Sequence, residues 1–96
     1  EDKLFPNYPN PFNAETWIPY QLSQDSGVMI LIHDITGGLV RALNLGRKRA
    51  GYYVSRSRAA YWDGRNELGE KVPSGVYFYT LKAGRFTATR KMIIRK

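Results

Sequence analysis

Few side chains in this sequence are of the kind that make or break bonds, and their spacing limits what they could do. His33 is the single histidine and cysteine is absent, so a transition-metal site would have to gather carboxylates from distant parts of the chain. Asp34 adjoins His33, but successive strand residues point to opposite faces, which separates the pair. The run Asp63-Gly64-Arg65-Asn66-Glu67-Leu68-Gly69-Glu70 offers oxygen ligands, with Asp63, Asn66 and Glu70 as an alternative calcium set. Its spacing departs from the D-x-[DN]-x-[DN]-G loop, and two glycines with an asparagine are ordinary turn residues. Neither a Ser-His-Asp arrangement, nor paired acids, nor a phosphate-binding glycine loop is legible. The expectation is a protein that is not an enzyme and uses no cofactor.

Charge is the next source of chemistry. The chain of 96 residues carries a net charge of +7. Up to Gly46, Lys3 and Arg41 stand against Glu1, Asp2, Glu15, Asp25 and Asp34, a balance of −3. From Arg47 onward, 13 basic residues face only Asp63, Glu67 and Glu70, a balance of +10. Such asymmetry suits an anionic partner, whether nucleic acid, lipid headgroups or an acidic glycan or protein ligand, and it also suits strand faces kept soluble and edges guarded against pairing, the more ordinary reading. Arg47, Lys48, Arg49, Arg56, Arg58 and Arg65 lie near Tyr52, Tyr53, Tyr61 and Trp62, the composition of a single-strand binding groove. No RNP, KH or cold-shock signature accompanies them, so nucleic acid is not expected as a partner. Trp17 and Trp62 leave carbohydrate binding open.

The elements that must position these groups read as strands. The segment Leu4–Asn13 holds three prolines and three asparagines, which bars it from a central strand. Residues 1–13 are expected as a proline- and asparagine-rich linker, with Phe5, Tyr8 and Phe12 as anchors, and 14–96 as the domain. Thr16–Leu22 follows as a strand, placed at an edge by Pro19. Val28–Ile35 alternates, with Val28, Ile30 and Ile32 toward the core and Met29, Leu31 and His33 outward. An outward face this apolar is either covered or a docking patch. Thr36-Gly37-Gly38 suits a type I′ hairpin into Leu39–Leu45, whose Leu39, Arg41, Leu43 and Leu45 share one side. Gly46–Gly51 is expected as a basic loop and Tyr52–Asp63 as a long strand.

The stretch from Tyr61 to Phe86 is the spine of the domain. Val76–Leu81 is β-branched and aromatic, with Val76 and Phe78 assigned to the core. Lys82-Ala83-Gly84-Arg85 is a hairpin connection into the last strand, Phe86–Arg95. There Arg90 falls on the apolar side, so its head should reach solvent or a carboxylate past a buried stem. Short strands separated by turns, with no helix of useful length, give an all-β sandwich of six or seven strands. The length makes one domain. No apolar run approaches the roughly 18–20 residues of a membrane span. Charged Glu1-Asp2-Lys3 does not open a signal peptide, and the start reads as a cut from a larger protein.

Asn7-Tyr8-Pro9-Asn10-Pro11-Phe12-Asn13, Val28 to Ile32 with Asp34, Gly38-Leu39-Val40-Arg41, Trp62-Asp63-Gly64, Gly69, Ser74-Gly75-Val76-Tyr77-Phe78-Tyr79 and Arg90-Lys91-Met92 together resemble a known domain. It is the type A C-terminal sorting domain of the type IX secretion system, related to the immunoglobulin-like module of flagellar hook-capping proteins. The resemblance covers the whole chain in order. It implies an immunoglobulin-like β-sandwich of about seven antiparallel strands at the tail of a larger exported protein. Such a domain is a non-catalytic address, read by outer-membrane secretion and attachment machinery, and located at the outer membrane surface or outside the cell. Tyr8, Asn10, Pro11, Phe12 and Asn13, with Arg90 and Lys91, are the recognition residues on this reading. Ala14 departs from the proline common in the family, and Arg56–Ala60 is extra length before Trp62. The alternative function is a cell-surface protein- or glycan-binding module, cohesin- or adhesin-like. Its docking face would be Met29 and Leu31, or the basic residues Arg47, Lys48, Arg49, Arg56 and Arg58.

Overall fold

The computed structural model describes every residue from Glu1 to Lys96. It contains nine strands and no helix: β1 (Lys3–Leu4), β2 (Thr16–Ile18), β3 (Tyr20–Leu22), β4 (Ser26–His33), β5 (Leu39–Lys48), β6 (Gly51–Tyr53), β7 (Ala60–Trp62), β8 (Gly75–Ala83) and β9 (Phe86–Ile94). One layer is a four-stranded antiparallel sheet in the order β5-β4-β8-β9. The other is built on the chain from 16 to 22. Its β3 half pairs with β1 on one side and β6 on the other, and its β2 half pairs with β7. Since β2 and β3 are interrupted only at Pro19, and β6 and β7 flank a six-residue excursion, the nine strands amount to seven passes of an immunoglobulin-like sandwich. A single core lies between the layers.

Pro19 does not mark an edge. The strand it interrupts is the middle of its layer, bonded on both flanks. The Phe5 N–H donates to the Pro19 carbonyl at 3.1 Å, which leaves the Phe5 carbonyl facing a proline nitrogen with no hydrogen. The opposite sheet fills that gap. The Tyr79 hydroxyl donates to the Phe5 carbonyl at 2.8 Å and accepts the Asn7 N–H at 2.9 Å. One buried phenol thus replaces ladder bonds that a central strand cannot leave unmade.

The same tyrosine corrects the phase of β8. Val76 and Phe78 are half-exposed on the outer face, while Tyr77, Tyr79, Leu81 and Ala83 point into the core. Both phases of Val-Tyr-Phe-Tyr are apolar enough to bury, so Leu81 and Ala83 decide. The two tyrosines are tolerated because each hydroxyl has a carbonyl to bond, Tyr77 that of Pro73 at 2.8 Å. In β4 the expected phase holds, with Val28, Ile30 and Ile32 buried. Trp62 is completely buried, its indole N–H donating to the Arg65 carbonyl at 2.9 Å. Phe12 and Tyr77 meet its ring edge-on, at 5.8 and 6.1 Å.

Phe12 belongs to the segment expected as a linker, and that segment is built into the sandwich. Leu4, Asn7 and Phe12 are buried, and Tyr8 exchanges both backbone bonds with Trp17. Other boundaries also move. Arg47 and Lys48 lie inside β5 rather than in a loop, because β4 begins at Ser26 and pairs with Lys48. The expected strand Tyr52–Asp63 is broken between Tyr53 and Ala60, where the extra length leaves the ladder. The β4–β5 turn is not type I′, since of its two glycines Gly37 alone has a positive φ, 86°. Asp34 organises it by accepting from the Thr36 N–H, the Thr36 hydroxyl and the Gly38 N–H. Those bonds, the Thr36 hydroxyl first, hold the Asp34 carboxyl below its ordinary range. A register shift beside Ile32 turns Leu39 out into solvent, so the four residues assigned to one side of β5 do not share it. The β8–β9 turn is as expected, with Ala83 paired to Phe86 and Gly84 at φ 61°.

Candidate functional site

Of the residues expected to serve recognition, Asn10 and Phe12 lie against the outer edge of β9. The Phe12 N–H donates to the Ile93 carbonyl at 3.0 Å, and the Arg95 N–H donates to the Phe12 carbonyl at 2.9 Å, a parallel bridge. Asn10 Oδ1 accepts the Ile93 N–H at 3.0 Å. Asn10 and Phe12 therefore hold this segment against the end of β9, and Phe12 has only 2% of its surface exposed. Pro11 and Asn13 face solvent. Tyr8 lies half-buried on the other layer, its hydroxyl donating to the Val54 carbonyl. Arg90 has its Nε on the Leu4 carbonyl at 2.7 Å, so its head crosses from one sheet to the other, finding a carbonyl rather than a carboxylate. Lys91 is exposed on the outer face beside Phe78.

The proposed docking residues divide into separate surfaces. Met29 and Leu31 are half-exposed on the outer face of the four-stranded sheet, with His33 in the same row and Phe78 and Lys82 on the neighbouring strand. The face is uncovered, and the cross-strand neighbours account for its partial burial. On the opposite layer Trp17 is stacked 6.3 Å from Tyr8 and tilted against Tyr61 at 5.5 Å. The excursion between β6 and β7 lays the Arg56 guanidinium over Trp17, 4.3 Å from its centroid. Arg58 instead covers Tyr53 at 4.6 Å. Arg47, Lys48 and Arg49 lie at the end of β5, and the Arg49 carbonyl accepts the Tyr53 hydroxyl at 2.6 Å. Arg49 and Arg58 thus both meet Tyr53, while Arg56 lies over Trp17.

The loop after Trp62 folds on itself. Asp63 Oδ1 accepts from the Arg65 N–H and pairs with Arg41 at 3.1 Å, and Glu67 accepts the Ala42 N–H. Asn66 spends its amide on Glu70 and its carbonyl oxygen on the Leu68 and Glu70 N–H groups. The calcium alternative Asp63, Asn66 and Glu70 does not converge, and no group of three or more His, Asp or Glu stands where it could hold a metal ion. Gly64 is needed here, because a Cβ on it would lie 2.7 Å from the Ala14 carbonyl oxygen. Ala14 itself has φ 87°, which a proline ring could not adopt. A cavity of about 280 Å³ opens beside this contact, with Arg65, Lys71 and Lys96 on its wall.

Three features were missed by sequence reasoning: the Tyr79 hydroxyl bridge, the Arg41 to Asp63 tie across 22 residues, and the Tyr8–Trp17–Tyr61 row. Only the last left a trace, since Tyr8, Trp17 and Tyr61 each fall one residue from a buried partner. No helix is long and apolar enough to cross a membrane.

The fold has close counterparts. The structure of dimeric latent PorU from Porphyromonas gingivalis matches 97% of this chain with a TM-score of 0.70 at 23% identity, using 9% of PorU. PorZ of the same organism, described as an essential bacterial surface component of the type IX secretion system, matches 97% with a TM-score of 0.63 at 19% identity, using 11% of PorZ. FlgD from P. aeruginosa matches 76% with a TM-score of 0.58 at 26% identity, using 54% of FlgD. The chain therefore spans a small part of the first two proteins and about half of the third. No curated protein sequence matches significantly. The family model described as the FlgD Ig-like domain matches residues 13–86, and the chain belongs to that family.

Proposed function

We propose that this FlgD Ig-like chain is a non-catalytic C-terminal sorting and anchoring module, which directs a larger exported protein to type IX secretion machinery and the cell surface. The observation that carries the reading is the near-complete superposition of the chain on small segments of PorU and PorZ, the latter described as a surface component of that system. The geometry supports a handled module, because its groups hold rather than transform: backbone donors along β9, the cations Arg90 and Lys91, and the Tyr8–Asn13 segment beside them. Partners are then the secretion and attachment proteins, and the upstream parent is the cargo. The test fuses residues 1–96 behind a periplasmic reporter in a host that has this export pathway. Appearance of the reporter at the surface is expected, and its retention inside the cell would defeat the assignment.

A second reading, a surface protein- or glycan-binding module, is favoured by the Tyr8–Trp17–Tyr61 row crossed by Arg56. It expects the isolated chain to retain a defined component of cell-surface material, and Trp17→Ala to release it. Retention unaffected by that change removes this reading.

A further inference from the structure

We propose that the free edge of β9 is a strand-addition site for an extended acidic segment of a partner protein. The inference deepens the sorting assignment and rests on it. Ile93 directs both its N–H and its C=O outward, to Asn10 and Phe12. In an antiparallel pair, residues two apart share that direction, so Lys91, Thr89 and Thr87 point their backbone groups the same way. None of these groups bonds to anything in the chain, and all three residues are exposed. The five positions from Thr87 to Lys91 are about the length of an average strand. Chain already adds to this edge one step further on, where Phe12 bridges to Ile94. The opposite edge of the same sheet is closed at its middle, since Glu67 takes the Ala42 N–H.

Charge selects the occupant. From Lys71 to Lys96 there are seven lysines and arginines and no acid. The ion pairs of the chain use only Arg41, so none of the seven is neutralised. A second copy presenting the same edge would meet like charges, which is how lysine guards edge strands against self-pairing. An acidic strand gains the ladder and the cations Arg85, Arg90 and Lys91 together.

The probe is a soluble heptapeptide alternating glutamate with valine and threonine, compared with its lysine counterpart by NMR titration and amide exchange of the 96-residue chain. The glutamate peptide is expected to bind and slow exchange at the Thr87, Thr89 and Lys91 amides, and the lysine peptide to do neither. Thr87→Pro removes an outward N–H without touching the β8 ladder, and should weaken binding at least about tenfold. Arg85→Glu with Lys91→Glu keeps the backbone and should weaken it at least about fivefold, with the difference shrinking at high salt. Should Thr87→Pro unfold the chain, the charge-reversed variant and the exchange pattern decide. The proposal is overturned by absence of binding, by shifts centred on 47–58, or by edge amides protected through self-association. Placing Thr87→Pro in the reporter fusion separates the two ideas. Export of both fusions overturns the edge site alone, whereas retention of the unmodified fusion defeats the sorting role whatever the peptide does.

Discussion

Replacing Tyr79 by Phe keeps the ring in the core and deletes one oxygen. That oxygen serves two backbone groups, the half-buried Phe5 carbonyl and the buried Asn7 N–H, and both lose their partner once it is gone. A lost partner for a buried polar group costs about 1–3 kcal/mol, so two such losses should total about 2–4 kcal/mol. For a domain of this size that lowers the melting temperature by roughly 10–20 °C. Tyr77→Phe is the control, because it removes a single bond to the Pro73 carbonyl near the surface and should cost about 1 kcal/mol. A sharper test uses the cause of the arrangement. Pro19→Ala restores a hydrogen opposite the Phe5 carbonyl, so Tyr79→Phe should be less damaging in that background by about 1 kcal/mol. Urea denaturation of the four proteins in this cycle, with exchange rates at the Asn7 amide, measures each quantity. If Tyr79→Phe falls within about 0.5 kcal/mol of the parent, or the Pro19→Ala background changes nothing, then the phenol does not substitute for the ladder.

Two further outcomes follow from the packing. Gly64→Ala places a methyl 2.7 Å from the Ala14 carbonyl oxygen at a backbone φ of +74°, so it should destabilise by about 2–4 kcal/mol in thermal or urea unfolding, and a change under about 1 kcal/mol would refute the close approach. Tyr20 is buried with a hydroxyl that has no partner, and burial, then the neighbouring Tyr53, push its pKa to about 12 against a smaller opposing effect of Arg58. Because that value lies above the unfolded value of about 10, the contribution to stability is complete below pH ~10 and is lost as pH rises through ~12. Tyr20→Phe should therefore be neutral or stabilising by up to about 1 kcal/mol at pH 7 and should flatten the alkaline fall, which urea titrations across pH 8 to 12 would check.

The architecture was legible because it rests on alternation and turn chemistry, which are local. Val28, Ile30 and Ile32 could be assigned from their spacing, and the Gly84 turn from its neighbours. What failed was whatever depended on the partner across the core. Val76 and Phe78 look more apolar than Tyr77 and Tyr79, but Leu81 and Ala83 set the phase, and the carbonyls of Pro73 and Phe5 let the tyrosines follow them inward. Pro19 looked like an edge residue because its compensation comes from Tyr79, 60 positions later. Among the candidate recognition residues, the Asn10–Phe12 segment lies against the end of the final strand. Their division of labour was hidden. Asn10 and Phe12 are tied into the fold, and the unmet backbone groups lie on Thr87, Thr89 and Lys91.

The parallel bridge between Phe12 and Ile94 also fixes how the domain would answer to force. Tension applied between the chain upstream of Asn10 and the chain beyond Arg95 runs along both strands in opposite senses. The bonds from Phe12 to Ile93 and Arg95 are then sheared at once instead of unzipping in turn. A body joined in this manner resists being drawn out by its ends far better than one whose terminal strands peel.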